Sequence, residues 1–66
     1  MKPFRFAVKD LAVTPFGICR IIAQFYAYHP NVPGIKINMY TGEHIETKTL
    51  YWFPEDKCSG VLDHEL

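Results

Sequence analysis

The stretch Thr14–His29, T-P-F-G-I-C-R-I-I-A-Q-F-Y-A-Y-H, decides how this chain is read. Set on a helical wheel at about 100° per residue, Phe16, Ile18, Cys19, Ile21, Ile22, Ala23, Phe25, Tyr26 and Ala27 fill an arc of about 240°. A surface helix needs an apolar stripe only a little wider than roughly 100°. Arg20 and Gln24 are the plainly polar residues inside the stretch. Both ends carry helix punctuation. The Thr14 hydroxyl suits an N-cap, where it accepts from an orphan N–H of the first turn. Pro15 suits the first helical position, which needs no N–H. Pro30 disfavours helical geometry at His29, and a protonated His29 would complement the helix dipole. The pattern predicts a helix over about residues 15–29. Ile18, Ile22 and Phe25 would rest on a sheet, leaving Phe16, Cys19, Ala23 and Ala27 to meet a twin helix or a partner.

The flanks read as strands. From Pro3 to Lys9, Phe4, Phe6 and Val8 alternate with Arg5, Ala7 and Lys9, the period of a half-buried strand. His29–Gly34 holds two prolines and a glycine and reads as a rigid turn. Ile35, Ile37 and Met39 then alternate with Lys36, Asn38 and Tyr40, which predicts a strand over about 35–40 with the first three inward. Thr41-Gly42-Glu43 reads as a hairpin turn, and Ile45–Phe53 as a third strand with a β-bulge near Thr47–Leu50. The run Thr49–Phe53, T-L-Y-W-F, is rich in β-formers and would invite pairing if exposed on an edge. Pro54 ends it, and a polar, acidic tail covers 54–66. The expected fold is a single α+β domain over 1–66: a β-α-β-β unit whose three-stranded, mainly antiparallel sheet carries one helix on one face.

Composition narrows the function classes. At 66 residues with 48% hydrophobic and 15% aromatic content, the chain can build a core, and disorder is excluded because it needs low hydrophobicity and high net charge. Seven basic and seven acidic residues cancel, so the basic excess of a strong nucleic-acid or anionic-membrane binder is missing. The charge is nonetheless split: residues 1–33 carry a net +3 and residues 34–66 a net −3. The expectation is that the acidic tail folds back near the basic N-terminal strand. Two cysteines make no disulfide framework, and the N-terminus has no apolar run of signal-peptide length. The expected setting is cytoplasmic, with two free thiols and no membrane span, which would take about 20 apolar residues.

Chemistry is hard to find. The sequence has no G-x-S-x-G elbow, P-loop, G-x-G-x-x-G or H-E-x-x-H. Cys19 falls inside the apolar arc and reads as a core residue. Cys58 lies beside Glu55 and Asp56, whose charges oppose thiolate formation. His44, Cys58, Asp63 and His64 lack the close ligand pairing of a structural zinc site. No catalytic residue, metal or cofactor is therefore expected.

Interfaces favour Tyr, Trp, Phe, Met and Arg, and this chain holds four Tyr, five Phe and one Trp. The expectation is a small, non-catalytic regulator or inhibitor that binds a larger protein stoichiometrically, as a homodimer, of the kind carried by phages and other mobile elements. Arg20, Ala23, Tyr28, Tyr51 and Trp52 are the expected contact residues. The alternative is a nucleic-acid-binding regulator that stacks bases on an aromatic sheet face and holds phosphates with Arg5, Lys36 and Lys48.

Overall fold

The structure is a computed structural model and describes residues 2–60. Its elements are four strands and one short 3-10 turn: β1 (Leu11–Thr14), β2 (Gly17–Tyr28), β3 (Lys36–His44), β4 (Leu50–Pro54) and the turn Glu55–Lys57. The strands form one curled antiparallel sheet in the order β1-β2-β3-β4. The fold is all-β over the described residues, which corrects the expected α+β unit. The stretch read as a helix is β2, the longest strand.

The reason lies in β2 itself. A strand apolar on both faces loses its period-2 signature. Here Cys19 and Ile21 point inward, while Ile18, Phe25 and Ala27 belong to the opposite face. The register also slips between Ile21 and Ala23, where Ile22 is the extra residue of a β-bulge. At the slip the same-face spacing becomes three, from Arg20 to Ala23 and from Ile21 to Gln24, which a wheel reads as helical. The Ile and aromatic side chains of the stretch favour a pleated strand once a neighbour exists to pair with.

The expected caps are turn residues. Thr14-Pro15-Phe16-Gly17 closes the β1–β2 hairpin, with Thr14 paired to Gly17. Pro at the second position and Gly at the fourth suit a type I turn. The Thr14 hydroxyl accepts from the Phe16 N–H (3.0 Å) and donates to the Gly17 carbonyl (2.8 Å). The chemistry assigned to a helix start is thus used to reverse the chain. His29–Gly34 is the turn expected, and links β2 to β3.

Gly42 is no hairpin turn. It sits inside β3 opposite Ile21 on one side and Tyr51 on the other. A Cβ there would stand 2.6 Å from Cζ of Phe53, so the missing side chain lets that ring lie flat against β3. The actual β3–β4 turn runs through 45–49. His44 Nδ1 accepts from the Glu46 and Thr47 N–H groups, and Lys48 takes a positive φ of 65°.

The core occupies the concave face. Phe6, Ala12, Cys19, Ile21, Tyr40, Phe53 and Cys58 are buried there, with Phe4 and Tyr51 packed against them. The face assignment of β3 inverts the expectation, because Asn38 and Tyr40 point inward while Ile37 and Met39 face the other way. Cys58 is buried as well, and the Ser59 N–H donates to the Val13 carbonyl of β1 at 2.8 Å. Phe16 stacks on Tyr51 at 4.3 Å, tying the first hairpin to β4. Val61, Leu62, Asp63 and His64 lie outside the described residues.

Residues 2–10 do not form the expected strand. The segment crosses the concave face as irregular chain with Phe4 and Phe6 inserted in the core, while Val8 is exposed. The alternation marked the inward side chains correctly at Phe4 and Phe6; what it could not show was that no sheet edge receives this segment.

Candidate functional site

Two features of this fold bear on function: a knot of polar groups on the concave side, and a bare apolar face on the convex side.

The knot centres on Tyr40 and Glu55. The Tyr40 hydroxyl accepts from the N–H groups of Arg5 and Phe6 (both 3.0 Å) and donates to the Glu55 carboxylate. Glu55 Oε1 also accepts from the Arg5 N–H (2.8 Å) and from the Asn38 side-chain amide (3.3 Å). Burial first, and then the bond to Glu55, push the Tyr40 hydroxyl up to about 12. Burial pushes the Glu55 carboxyl upward, but the hydrogen bonds from Tyr40, Arg5 and Asn38 outweigh it, so its pKa is lowered. Glu55 thus lies against the N-terminal segment and grips a backbone N–H rather than a basic side chain; the rest of the acidic tail beyond residue 60 lies outside the described residues.

Beside the knot opens a cleft of about 490 Å3, lined in part by Lys2, Arg5, Lys36, Asn38, Glu55 and Asp56. Its charges are mixed, and Oε1 of Glu55 is already taken by Tyr40, Arg5 and Asn38. Neither cysteine lines it. Burial, then the neighbouring Cys19 and Glu55, push the Cys58 thiol up to about 11, which keeps it protonated and poorly nucleophilic at neutral pH. Among the described residues, no group of three or more His, Cys, Asp and Glu side chains could hold a metal ion.

The convex face is of a different kind. Strand register lays its residues out in rows. Leu11, Arg20, Glu43 and Leu50 form one row across all four strands. Ala23, Thr41 and Trp52 form the next, followed by Phe25, Met39 and Pro54, and then by Ala27 and Ile37. Arg20 and Glu43 are the charged pair in this grid, and everything beyond them toward the β2–β3 turn is apolar apart from Thr41. No described element lies over it. Trp52 is 60% exposed, Leu50 45% and the bulged Ile22 42%. Soluble monomers rarely expose contiguous apolar patches larger than a few hundred Å2, and larger ones rimmed by polar residues mark interaction sites.

The expected contact residues divide between the two faces. Arg20, Ala23 and Trp52 stand together on the convex face. Arg20 also donates to the Lys9 carbonyl at 2.8 Å, which holds its guanidinium toward the sheet edge. Tyr51 points the other way and is stacked under Phe16. Tyr28 shares the side of Lys36, whose ammonium lies 5.2 Å from its ring, at the far end of the β2–β3 ribbon. Phe25, Ile37, Met39 and Leu50 complete the surface and were missed. Their signal was present: Ile37 and Met39 alternate cleanly with Asn38 and Tyr40, but hydropathy alone assigned the apolar set to the core.

Among the described residues, no helix is long and apolar enough to cross a membrane. The chain matches no known family model, no curated protein and no solved structure.

Proposed function

We propose that this protein is a non-catalytic binding module that acts in the cytoplasm by stoichiometric contact with a larger protein, as a regulator or inhibitor of the kind mobile elements carry. The observation that supports the reading is the uncovered convex face, with Trp52 exposed at its β4 edge, Leu50 beside it on the same strand, and Ala23, Phe25 and Met39 on the strands inward of it. Interfaces of standard size take about 800 Å2 from each partner. That is roughly one-sixth of the 4600 Å2 surface of the described chain. Tryptophan and arginine are among the residues that most often carry binding energy at an interface, and the convex face presents both in Trp52 and Arg20. The partner would carry an apolar groove or sheet face, with Arg20 and Glu43 at the rim giving orientation rather than most of the affinity. Inhibition would follow from occlusion of whatever surface the module covers.

Trp52→Glu and Ala23→Glu test this directly. Each places a charge on the convex face without touching the concave core. A partner captured by the wild-type chain from the producing cells should be lost by both variants, while their unfolding midpoints stay within about 0.5 kcal/mol of wild type. Retention of the partner by both variants overturns the proposal. So does micromolar binding to generic single- or double-stranded nucleic acid that falls steeply with salt, which would favour the aromatic-stacking alternative.

A further inference from the structure

The way the N-terminal segment is held is unlike the rest of the fold. From Pro3 to Ala7 its backbone makes no ladder with the sheet. Sheet side chains grip it instead: the Gln24 amide donates to the Phe6 carbonyl (2.7 Å), the Asn38 amide to the Pro3 carbonyl (3.0 Å), and the Tyr26 hydroxyl to the Lys2 carbonyl (3.3 Å). Tyr40 and Glu55 take the N–H groups of Arg5 and Phe6. Phe4 lies against Tyr26 and Tyr40, with ring centroids 4.7 and 5.7 Å apart, and Phe6 lies 5.5 Å from Tyr40. The concave face thus grips the backbone of a bent, irregular peptide and receives its aromatic residues Phe4 and Phe6. That is how a peptide receptor grips its ligand; here the ligand is tethered to the receptor.

The tether is strained. Between the segment and β1 the chain turns sharply at Ala7–Asp10, where the Asp10 carboxylate accepts from the Ala7 N–H and the Asp10 N–H donates to the Ala7 carbonyl. Lys9, inside this turn, takes φ 84°, a left-handed conformation that side-chain-bearing residues adopt at a cost. The segment beyond it, F-x-F-x-V, carries strand periodicity that the bent conformation does not use.

We infer that the concave groove accepts the Pro3–Ala7 segment of a second copy of this chain, giving a segment-exchanged dimer with its hinge at Ala7–Asp10. Every groove contact made within one chain is remade between two, so exchange conserves them. Opening gives up the Ala7–Asp10 turn bonds, the Lys9 N–H to Ile21 carbonyl bond (2.7 Å) and the bond from Arg20 to the Lys9 carbonyl (2.8 Å), and it releases the backbone at Lys9. Strained short hinges are the usual cause of such exchange. The exchange itself uses only concave-side contacts and leaves the surface proposed for partner binding unused. The inference stands on the concave groove and does not depend on that surface.

Residue 9 sets the balance. Lys9→Gly tolerates the left-handed turn and favours the closed monomer; Lys9→Val, β-branched, opposes it and favours exchange, with its N–H retained. A left-handed non-glycine residue is worth about tenfold in an equilibrium constant, and a dimer opens two hinges. The dimerisation constant should therefore fall by roughly a hundredfold in Lys9→Gly, and rise in Lys9→Val. Sedimentation of the full-length chains across a concentration series measures this. A synthetic peptide with the sequence of residues 1–8, in excess, should convert the dimer to peptide-bound monomer, and the same peptide with both phenylalanines replaced by alanine should not. Dimerisation indifferent to residue 9 and to the peptide overturns the inference, as does a chain that stays monomeric in wild type and in Lys9→Val. If Lys9→Val does not fold, the Lys9→Gly and peptide arms decide. A dimer abolished by Trp52→Glu yet insensitive to both would place self-association on the convex face instead.

Discussion

At Gly42 the packing of the whole concave side turns on one absent methyl. A Cβ there would stand 2.6 and 2.8 Å from atoms of the Phe53 ring and 3.0 Å from the Cys19 Cβ, and the ring cannot back away because Phe53 is fully buried. Gly42→Ala should lower stability by about 2–3 kcal/mol through overpacking, measured by urea unfolding. Glu55 gives a second prediction. Its carboxyl lies below the ordinary 4.5 in the folded chain, so the unfolded state binds its proton first as pH falls. The stabilisation is complete above about pH 4.5 and is lost as pH drops through the folded value. Glu55→Gln should flatten that acid limb and expose the Arg5 and Phe6 amides to faster hydrogen exchange. An acid limb unchanged by the substitution would show that Glu55 does not hold the N-terminal segment. Neither Gly42 nor Glu55 announced itself in the sequence: the first looked like a turn residue and the second like one more acid in a polar tail.

At the level of elements, the Thr14–Gly17 turn shows how one local signal serves two structures. Thr before Pro is a good helix N-cap, and it is equally good at opening a β-turn, since both use the hydroxyl to satisfy an N–H two residues on. Thr14→Ala would strand the Phe16 N–H and the Gly17 carbonyl, and should cost about 1–2 kcal/mol in thermal or urea unfolding; a neutral effect would mean that this hydroxyl does not brace the hairpin. The β2–β3 turn, by contrast, was legible, because Pro30, Pro33 and Gly34 allow neither helix nor strand to continue. Strand β4 was legible in place and composition but not in position. Its residues announce β-structure, yet only the sheet order makes it an edge and sends Trp52 outward.

For the whole molecule, the two faces of one sheet divide the work: the concave side is closed by the chain's own N-terminal segment, and the convex side is left bare. Trp52 is the sole tryptophan, so its emission reports that division without labels. It should be that of a solvated indole in the free chain and shift to the blue when a partner covers the convex face, whereas N-terminal exchange should leave it unchanged. The sequence by itself determined the amount of apolar surface, the turn at 29–34, the β-character of 49–53, the inward Phe4 and Phe6, and the excess of hydrophobicity that a chain of this size cannot bury. The tertiary structure alone decided that 17–28 is a strand, which of its two apolar faces is covered, and that Asn38 and Tyr40 go inward while Ile37 and Met39 do not. The physical reason is that a strand takes its stability from neighbours distant in sequence. When both of its faces are apolar and a bulge shifts its phase, no local periodicity separates it from a helix.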